Sequence, residues 1–203
     1  MTVHLHLGDL PAEVDLGEVI AVDTETMGLN PARDRLCLVQ LSAGDGDAHL
    51  VQFPERRYEA PNLCALLADR RRLKLFHYAR FDLAILRRYL GIDCVPVYCT
   101  KVASKLARTY TDRHGLKDLC RELLGIDLPK EQQSSDWGAP SLSEAQLRYA
   151  ANDVLHLHAL RERLDAMLAR EGRDGLAAAC FGFLPMRARL DLEGWAEQDI
   201  FAH

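Results

Sequence analysis

The stretch Val19-Ile20-Ala21-Val22-Asp23-Thr24-Glu25 decides the fold. Its first four residues are apolar and mostly β-branched, the composition of a buried strand, and two carboxylates close it. Met27-Gly28-Leu29-Asn30-Pro31 follows as a turn sequence. Side chains alternate along a strand, so Asp23 and Glu25 share one side of the sheet. Two carboxylates that close in an apolar setting repel, and a bridging divalent cation relieves the repulsion. Surface decoration of a strand end is the ordinary alternative for the pair taken alone.

Outward from this strand, Arg35 to Ser42 and Ala48 to Phe53 read as two more strands, joined by Gly44-Asp45-Gly46-Asp47. Such short links favour antiparallel neighbours. Pro61 to Ala68 reads as a helix with Asn62 as its cap. Leu73 to Tyr78 is a fourth strand, running into a helix over Phe81 to Tyr89 that stops at Gly91. Val95 to Thr100 is a fifth strand and Lys101 to Ala107 a helix. A loop over Arg108 to His114 precedes a helix from Gly115 to Leu124, ended by Gly125. Pro129 to Pro140 is irregular. Ser143 caps helical periodicity that reaches Arg170, divisible into two helices, and Gly172 to His203 is a helix with an apolar tail. The order β-β-β-α-β-α-β-α-α predicts an α/β fold: an antiparallel meander extended by parallel strands with helical crossovers. Ribonuclease H-like folds have this order. The expected organisation is one domain, with residues 1–171 carrying the chemistry and 172–203 a C-terminal helix and tail.

Two further groups join the first pair of acids. Asp82 opens a helix after the fourth strand, where a carboxylate also suits the helix dipole. Tyr149 and Asp153, in Tyr149-Ala150-Ala151-Asn152-Asp153, stand four apart on a late helix, which stacks phenol and carboxylate on one face. A tyrosine so placed is also an ordinary packing residue. Taken together, Asp-x-Glu on the first strand, Asp after the fourth, and Tyr-x-x-x-Asp on a late helix resemble the three motifs of the DEDD 3′→5′ exonucleases. The tyrosine marks the tyrosine subclass; the histidine subclass would want histidine where this chain has Arg148. Gln133-Ser134-Ser135-Asp136-Trp137 and the Leu142 to Val154 segment resemble the ribonuclease D-like family. The likeness is most complete to a short diribonuclease member, through Asp34-Arg35-Leu36-Cys37, Cys99-Thr100-Lys101, Thr109 to Lys117, Phe183 to Arg187 and the ending Asp199 to His203.

That resemblance implies hydrolysis of phosphodiesters with two divalent ions, Mg²⁺ or Mn²⁺, releasing nucleoside 5′-monophosphates. Asp23, Glu25 and Asp153 would hold one ion, Asp23 would bridge to the second, Asp82 would support that second ion, and Tyr149 would orient the attacking water. It also implies an apolar wedge between two bases at Leu29, with Met27 as the fallback and strand-turn packing as the alternative. His77 is expected among the substrate contacts. Arg113, His114 and Lys117 could cap a terminal 5′-phosphate, with Gln133, Ser135 and Trp137 completing that wall. Short RNA, dinucleotides above all, is the expected substrate, with DNA ends as a further one. A homo-octamer is the implied assembly, and the apolar tail after Gly172 its candidate contact.

Composition limits the rivals. The chain has 203 residues and a net charge of −5, which argues against gripping long nucleic acid through bulk positive charge. Lys101, Lys105, Arg108, Arg113, Lys117 and Arg121 nevertheless face only Asp112 and Asp118 within residues 101–121, a basic segment suited to a few phosphates. No apolar run approaches a bilayer span and the N-terminus lacks a secretory pattern, so no membrane partner is expected. The six cysteines show no Cys-x-x-Cys and read as buried free thiols of a cytoplasmic protein. Two other functions remain open at this point: a general exonuclease on longer RNA or DNA, and a non-catalytic nucleotide-binding protein. The second would be expected to have lost an acid or Tyr149.

Overall fold

The computed structural model describes residues 1–129 and 135–202. Six strands form one sheet in the order β1-β4-β3-β2-β5-β6, with β1 at Thr2–Leu7, β2 at Val19–Thr26, β3 at Leu36–Ser42, β4 at Asp47–Gln52, β5 at Leu73–Phe76 and β6 at Val97–Cys99. The meander β2–β3–β4 is antiparallel; β5 runs parallel to β2, and β6 to β5. The expected α/β, ribonuclease H-like mixed sheet is therefore present, with one strand more than anticipated. β1 pairs in parallel with β4 at the far edge. Its Thr-Val-His-Leu-His-Leu sequence alternates, but half of the strand faces water and no turn signal joins it to a neighbour, so it was not legible as a strand.

Every residue of β3 is buried, as befits a strand covered on both faces. On one face Ile20, Val22, Val39 and Phe76 pack with Leu63 and Leu67 of α1 (Pro61–Ala68) and with Leu83 to Leu86 of α2 (Ala79–Leu90). On the other, Ala21, Leu75 and Tyr98 meet Ala103 of α3 (Thr100–Ala107), Val154 of α5 (Glu144–Leu155), and Leu157, Leu160 and Leu164 of α6 (Leu157–Arg170). Between these helices, α4 (Leu116–Leu119) runs into a π-helical turn, Cys120–Leu124, and ends at Gly125.

Boundaries moved where local chemistry overrode pattern. The fourth strand stops at Phe76 rather than Tyr78, because Tyr78 adopts the left-handed conformation (φ 71°) that turns the chain into α2. Ser143 caps α5 as expected: its hydroxyl accepts from the Gln146 amide, and the Gln146 side chain accepts from the Ser143 amide at 3.0 Å. Asn62 is not the cap of α1. The Asp9 carboxylate accepts from the Asn62 and Leu63 amides at 3.0 and 2.9 Å, while the Asn62 side chain donates to the Leu10 carbonyl. All six cysteines are free.

The C-terminal helix α7 (Asp174–Leu190) packs on α2 and sends Leu184 and Ala188 into the core beside it. Beyond it, Asp191 accepts a two-pronged contact from Arg80 in the first turn of α2, at 2.6 and 2.8 Å, and a third contact from Arg187. Phe183, Met186, Trp195, Ile200 and Phe201 stay exposed. Among the described residues no helix is long and apolar enough to cross a membrane.

Candidate active site

Strand alternation places Asp23 and Glu25 on the same face as Ala21, the face covered by α5. From α5, Asp153 comes down to meet them. One oxygen from each of the three carboxylates lies within 4.8 Å of the others. Thr24, between the two acids, points the opposite way, and its hydroxyl donates to the Asp82 carboxylate at 2.7 Å. Asp82 thus arrives from α2, on the other side of the sheet, and is anchored beside the cluster without belonging to its tightest group. Gln40, directly across the ladder from Asp23, donates to it at 3.3 Å.

The charge state follows from burial. Asp23 lies well above the usual carboxylate range, first because it is buried and then because Asp82, Asp153 and Glu25 repel its charge. Glu25 is raised by burial, then by Asp153 and Asp82. Burial lifts Asp82 to about 7 against the opposing hydrogen bond from Thr24, and lifts Asp153 to about 7 with help from Asp82. Among the described residues no lysine or arginine forms an ion pair with any of the four. Clustered carboxylates without a cationic partner, Asp82 buried and the other three half-buried, fit a hard divalent ion, for which oxygen is the preferred donor. The donor set therefore fits the two-metal expectation in kind.

Tyr149 lies one turn before Asp153 and lines the same cleft. Burial raises its phenol above the usual tyrosine value, and Asp153, Glu25 and Asp23 raise it further. It is a protonated hydrogen-bonding group at neutral pH rather than a base. Arg148, in the place of the alternative histidine, is exposed and pairs with Glu144 at 3.3 Å.

The cleft has a volume of about 720 Å³. Leu29, Met27, His77, Lys117, Ser135 and Trp137 all line it together with Asp23, Glu25 and Asp153. Leu29 is 90% exposed, so it does not close strand-turn packing. The turn that presents it is closed by other groups: Asn30 and Asp34 exchange hydrogen bonds, and Met27 donates to the Arg35 carbonyl. A side chain at Gly28 would collide with the Asp34 carboxylate, so glycine is required next to Leu29.

Arg113 and His114 are not brought into the cleft. Arg113 is exposed, and the His114 ring pairs with Ser104 at 2.8 Å. Their loop is pinned by fully buried Arg108, which donates to the Arg113 carbonyl and to Ser104 and pairs with Glu122. Gln133 lies outside the described residues. Sequence reasoning missed Thr24 and Gln40, which hold the acids, and Tyr78, Phe81 and Lys101, which line the cleft. Lys101 stacks over the Tyr78 ring at 4.2 Å. The basic segment gave a signal for Lys101; the others depend on strand register or on the turn at Tyr78.

A family model described as 3′-5′ exonuclease matches residues 6–169. A ribonuclease D of Gluconacetobacter diazotrophicus is 37% identical over 154 residues, which is 76% of this chain and 39% of that protein; the chain thus spans about two fifths of that relative's length. Solved structures that match throughout include two of Brucella melitensis NrnC. Brucella melitensis NrnC bound to pGG is 56% identical with a TM-score of 0.97, covering 100% of this chain and 99% of that one. Brucella melitensis NrnC with bound Mg²⁺ is 55% identical with a TM-score of 0.95, covering all of both chains.

Proposed function

This chain belongs to the 3′-5′ exonuclease family, and we propose that it is a metal-dependent exoribonuclease that degrades very short RNA, dinucleotides above all, to nucleoside 5′-monophosphates. The observation that carries the reading is the convergence of Asp23, Glu25 and Asp153 within 4.8 Å, at the floor of a cleft whose rim presents an exposed leucine. The full-length likeness to NrnC bound to pGG supports the choice of a short substrate.

Asp23, Glu25 and Asp153 would hold a magnesium or manganese ion, with Asp82 supporting a second. When bound, the pair supplies an activated water and neutralises charge at the phosphate. The protein's part is positional. Tyr149 hydrogen-bonds the attacking water from α5 and orients it; its raised pKa keeps the proton on the phenol. Leu29 inserts between the two bases, which its exposure permits, and so fixes the scissile phosphate over the acids. Lys117, on the cleft wall, is the member of the basic segment placed to meet a 5′-phosphate. Ser135 and Trp137 complete that side. Arg113 and His114 would join such a cap only through movement of their loop.

The exposed apolar residues of segment 172–203 are the proposed contact of a homo-octamer; a solution mass near that of one chain, 22.8 kDa, would reject it. The substrate is tested by length-resolved kinetics on 5′-phosphorylated RNAs of two to seven nucleotides and on matching DNA. With Mg²⁺ the dinucleotide should be consumed fastest, and EDTA should stop the reaction. Equal rates at all lengths would make the protein a general exonuclease; no cleavage at any length would remove the enzymatic reading.

A further inference from the structure

His77 stands where β5 gives way to α2, with one ring nitrogen committed and the other facing the cleft. Nδ1 lies 2.9 Å from the Thr100 hydroxyl. That hydroxyl donates to the Phe76 carbonyl at 3.2 Å, an oxygen that can only accept. Thr100 has one proton, and only one assignment satisfies both contacts: Thr100 donates to Phe76, and His77 donates from Nδ1 to Thr100. The hydrogen-bond network therefore fixes the tautomer. With the ring neutral, Nε2 carries a lone pair and no proton. Among the described residues nothing pairs with it, and His77 lines the cleft that Asp23 and Lys101 also line.

Two features keep the ring in this state. Burial, with the positive charge of Lys101 added, depresses His77 to about 3, so it stays neutral across the working range of an enzyme. Thr100 is itself fully buried, so its hydroxyl does not turn to water instead. The cleft that holds Asp23, Glu25 and Asp153 thus also contains a fixed, uncharged acceptor. Phosphate oxygens and base carbonyls are acceptors too and cannot meet it favourably. In a bound dinucleotide the available donors are ribose hydroxyls and the amino and ring imino N–H groups of the bases. A ribose is attached directly to the phosphate that the acids address, whereas the bases extend away towards Leu29.

We propose that His77 reads a ribose hydroxyl of the bound nucleotide, accepting its hydrogen bond at Nε2 and so discriminating against substrates that lack that hydroxyl. The inference rests on the exonuclease reading above and names the group by which that site recognises RNA. His77 is a specificity residue: it touches substrate and takes no part in bond cleavage. Thr100 is its positioning residue.

The test compares pUpU, whose bases donate only through an imino N–H, and pApA, whose bases donate only through an amino group, with forms of each lacking the 2′-hydroxyl at either ribose or the terminal 3′-hydroxyl. Each is measured on wild type, His77→Leu and Thr100→Val, with melting curves to confirm folding. A site built around one hydroxyl should prefer the complete substrate by about tenfold to a hundredfold in kcat/KM. His77→Leu should erase that preference for one hydroxyl only, by slowing the complete substrate down to the rate of its analogue. Thr100→Val leaves the imidazole in place but removes the acceptor for its Nδ1 proton. The same preference should weaken, which a purely steric role of His77 would not produce. The proposal is overturned if the complete substrate and its analogue slow equally, if the preference survives in His77→Leu, or if a loss appears with only one of pApA and pUpU, since the partner would then be a base amino or imino group. A wild-type protein inert toward all of them would strike the exonuclease reading first, and this one with it.

Discussion

The substitution Asp153→Asn keeps the shape of the acid cluster and removes one of its charges, which makes the cost of holding that charge out of water and beside Asp82 measurable without substrate. In the fold Asp153 titrates near 7, against about 3.9 in an unfolded chain. The folded state therefore holds a proton that the unfolded chain has already released. That contribution to stability is complete below about pH 4 and is lost as the pH rises through about 7. Between pH 5 and 8 the loss accrues over about two pH units, and at about 1.36 kcal/mol per unit it comes to about 3 kcal/mol. For a domain of this length each kcal/mol moves the melting temperature by roughly 2–4 °C, hence about 6–12 °C. The asparagine amide carries no charge at either pH. Groups away from the cluster, the neutral His77 included, act on both proteins alike, while Asp23 and Glu25, relieved of the Asp153 charge, add to the gap at the higher pH. In EDTA the variant should accordingly melt above wild type at pH 8, with the gap shrinking towards pH 5. Millimolar Mg²⁺ should reverse the order, since an ion that binds the native state stabilises in proportion to the logarithm of its saturation. Differential scanning calorimetry in EDTA and in Mg²⁺ at both pH values measures all four differences. A gap constant within about 1 °C, or Mg²⁺ stabilising both proteins equally, would refute the claim that the Asp153 carboxylate is desolvated beside the other acids without a compensating charge.

Tyr149→Phe should lower kcat by about a hundredfold or more while KM changes little, because the lost hydroxyl orients water rather than holding substrate; steady-state kinetics on a dinucleotide checks it. Leu29→Ala should leave the melting temperature unchanged, the side chain being exposed. It should raise KM for dinucleotides by about tenfold, the loss of one modest stacking contact. Asp9→Ala should cost about 1 kcal/mol by uncapping α1, read as a lower denaturation midpoint with kcat intact.

The acids and Tyr149 were legible because their chemistry requires fixed spacing within single elements: two residues on β2, four on α5. What holds them was not. Gln40 meets Asp23 only through cross-strand register, and Thr24 reaches Asp82 across 58 positions because alternation turns it away from its neighbours. The same reason hid Asp9 as the cap of α1, which local reading assigned to Asn62. Charge misled more than it concealed. Residues 101–121 are basic as a block, yet Lys101 and Lys117 enter the cleft, Arg108 is spent on its own loop and Arg113 faces solvent. Composition gives the sign of a segment and says nothing of where each side chain points. β1 illustrates the limit for strands, since a half-exposed edge carries half the usual pattern.

The fork between Arg80 and Asp191 has a further consequence. Arg80 precedes Asp82 by two residues in the same helical turn, so the far end of the polypeptide is fastened to the platform on which one of the four acids rides. Cutting the chain after Leu190 would free that platform while leaving Leu184 and Ala188 in place. Such a truncated protein would lose turnover before it lost its fold, and anything that grips the tail from outside has a handle on the chemistry.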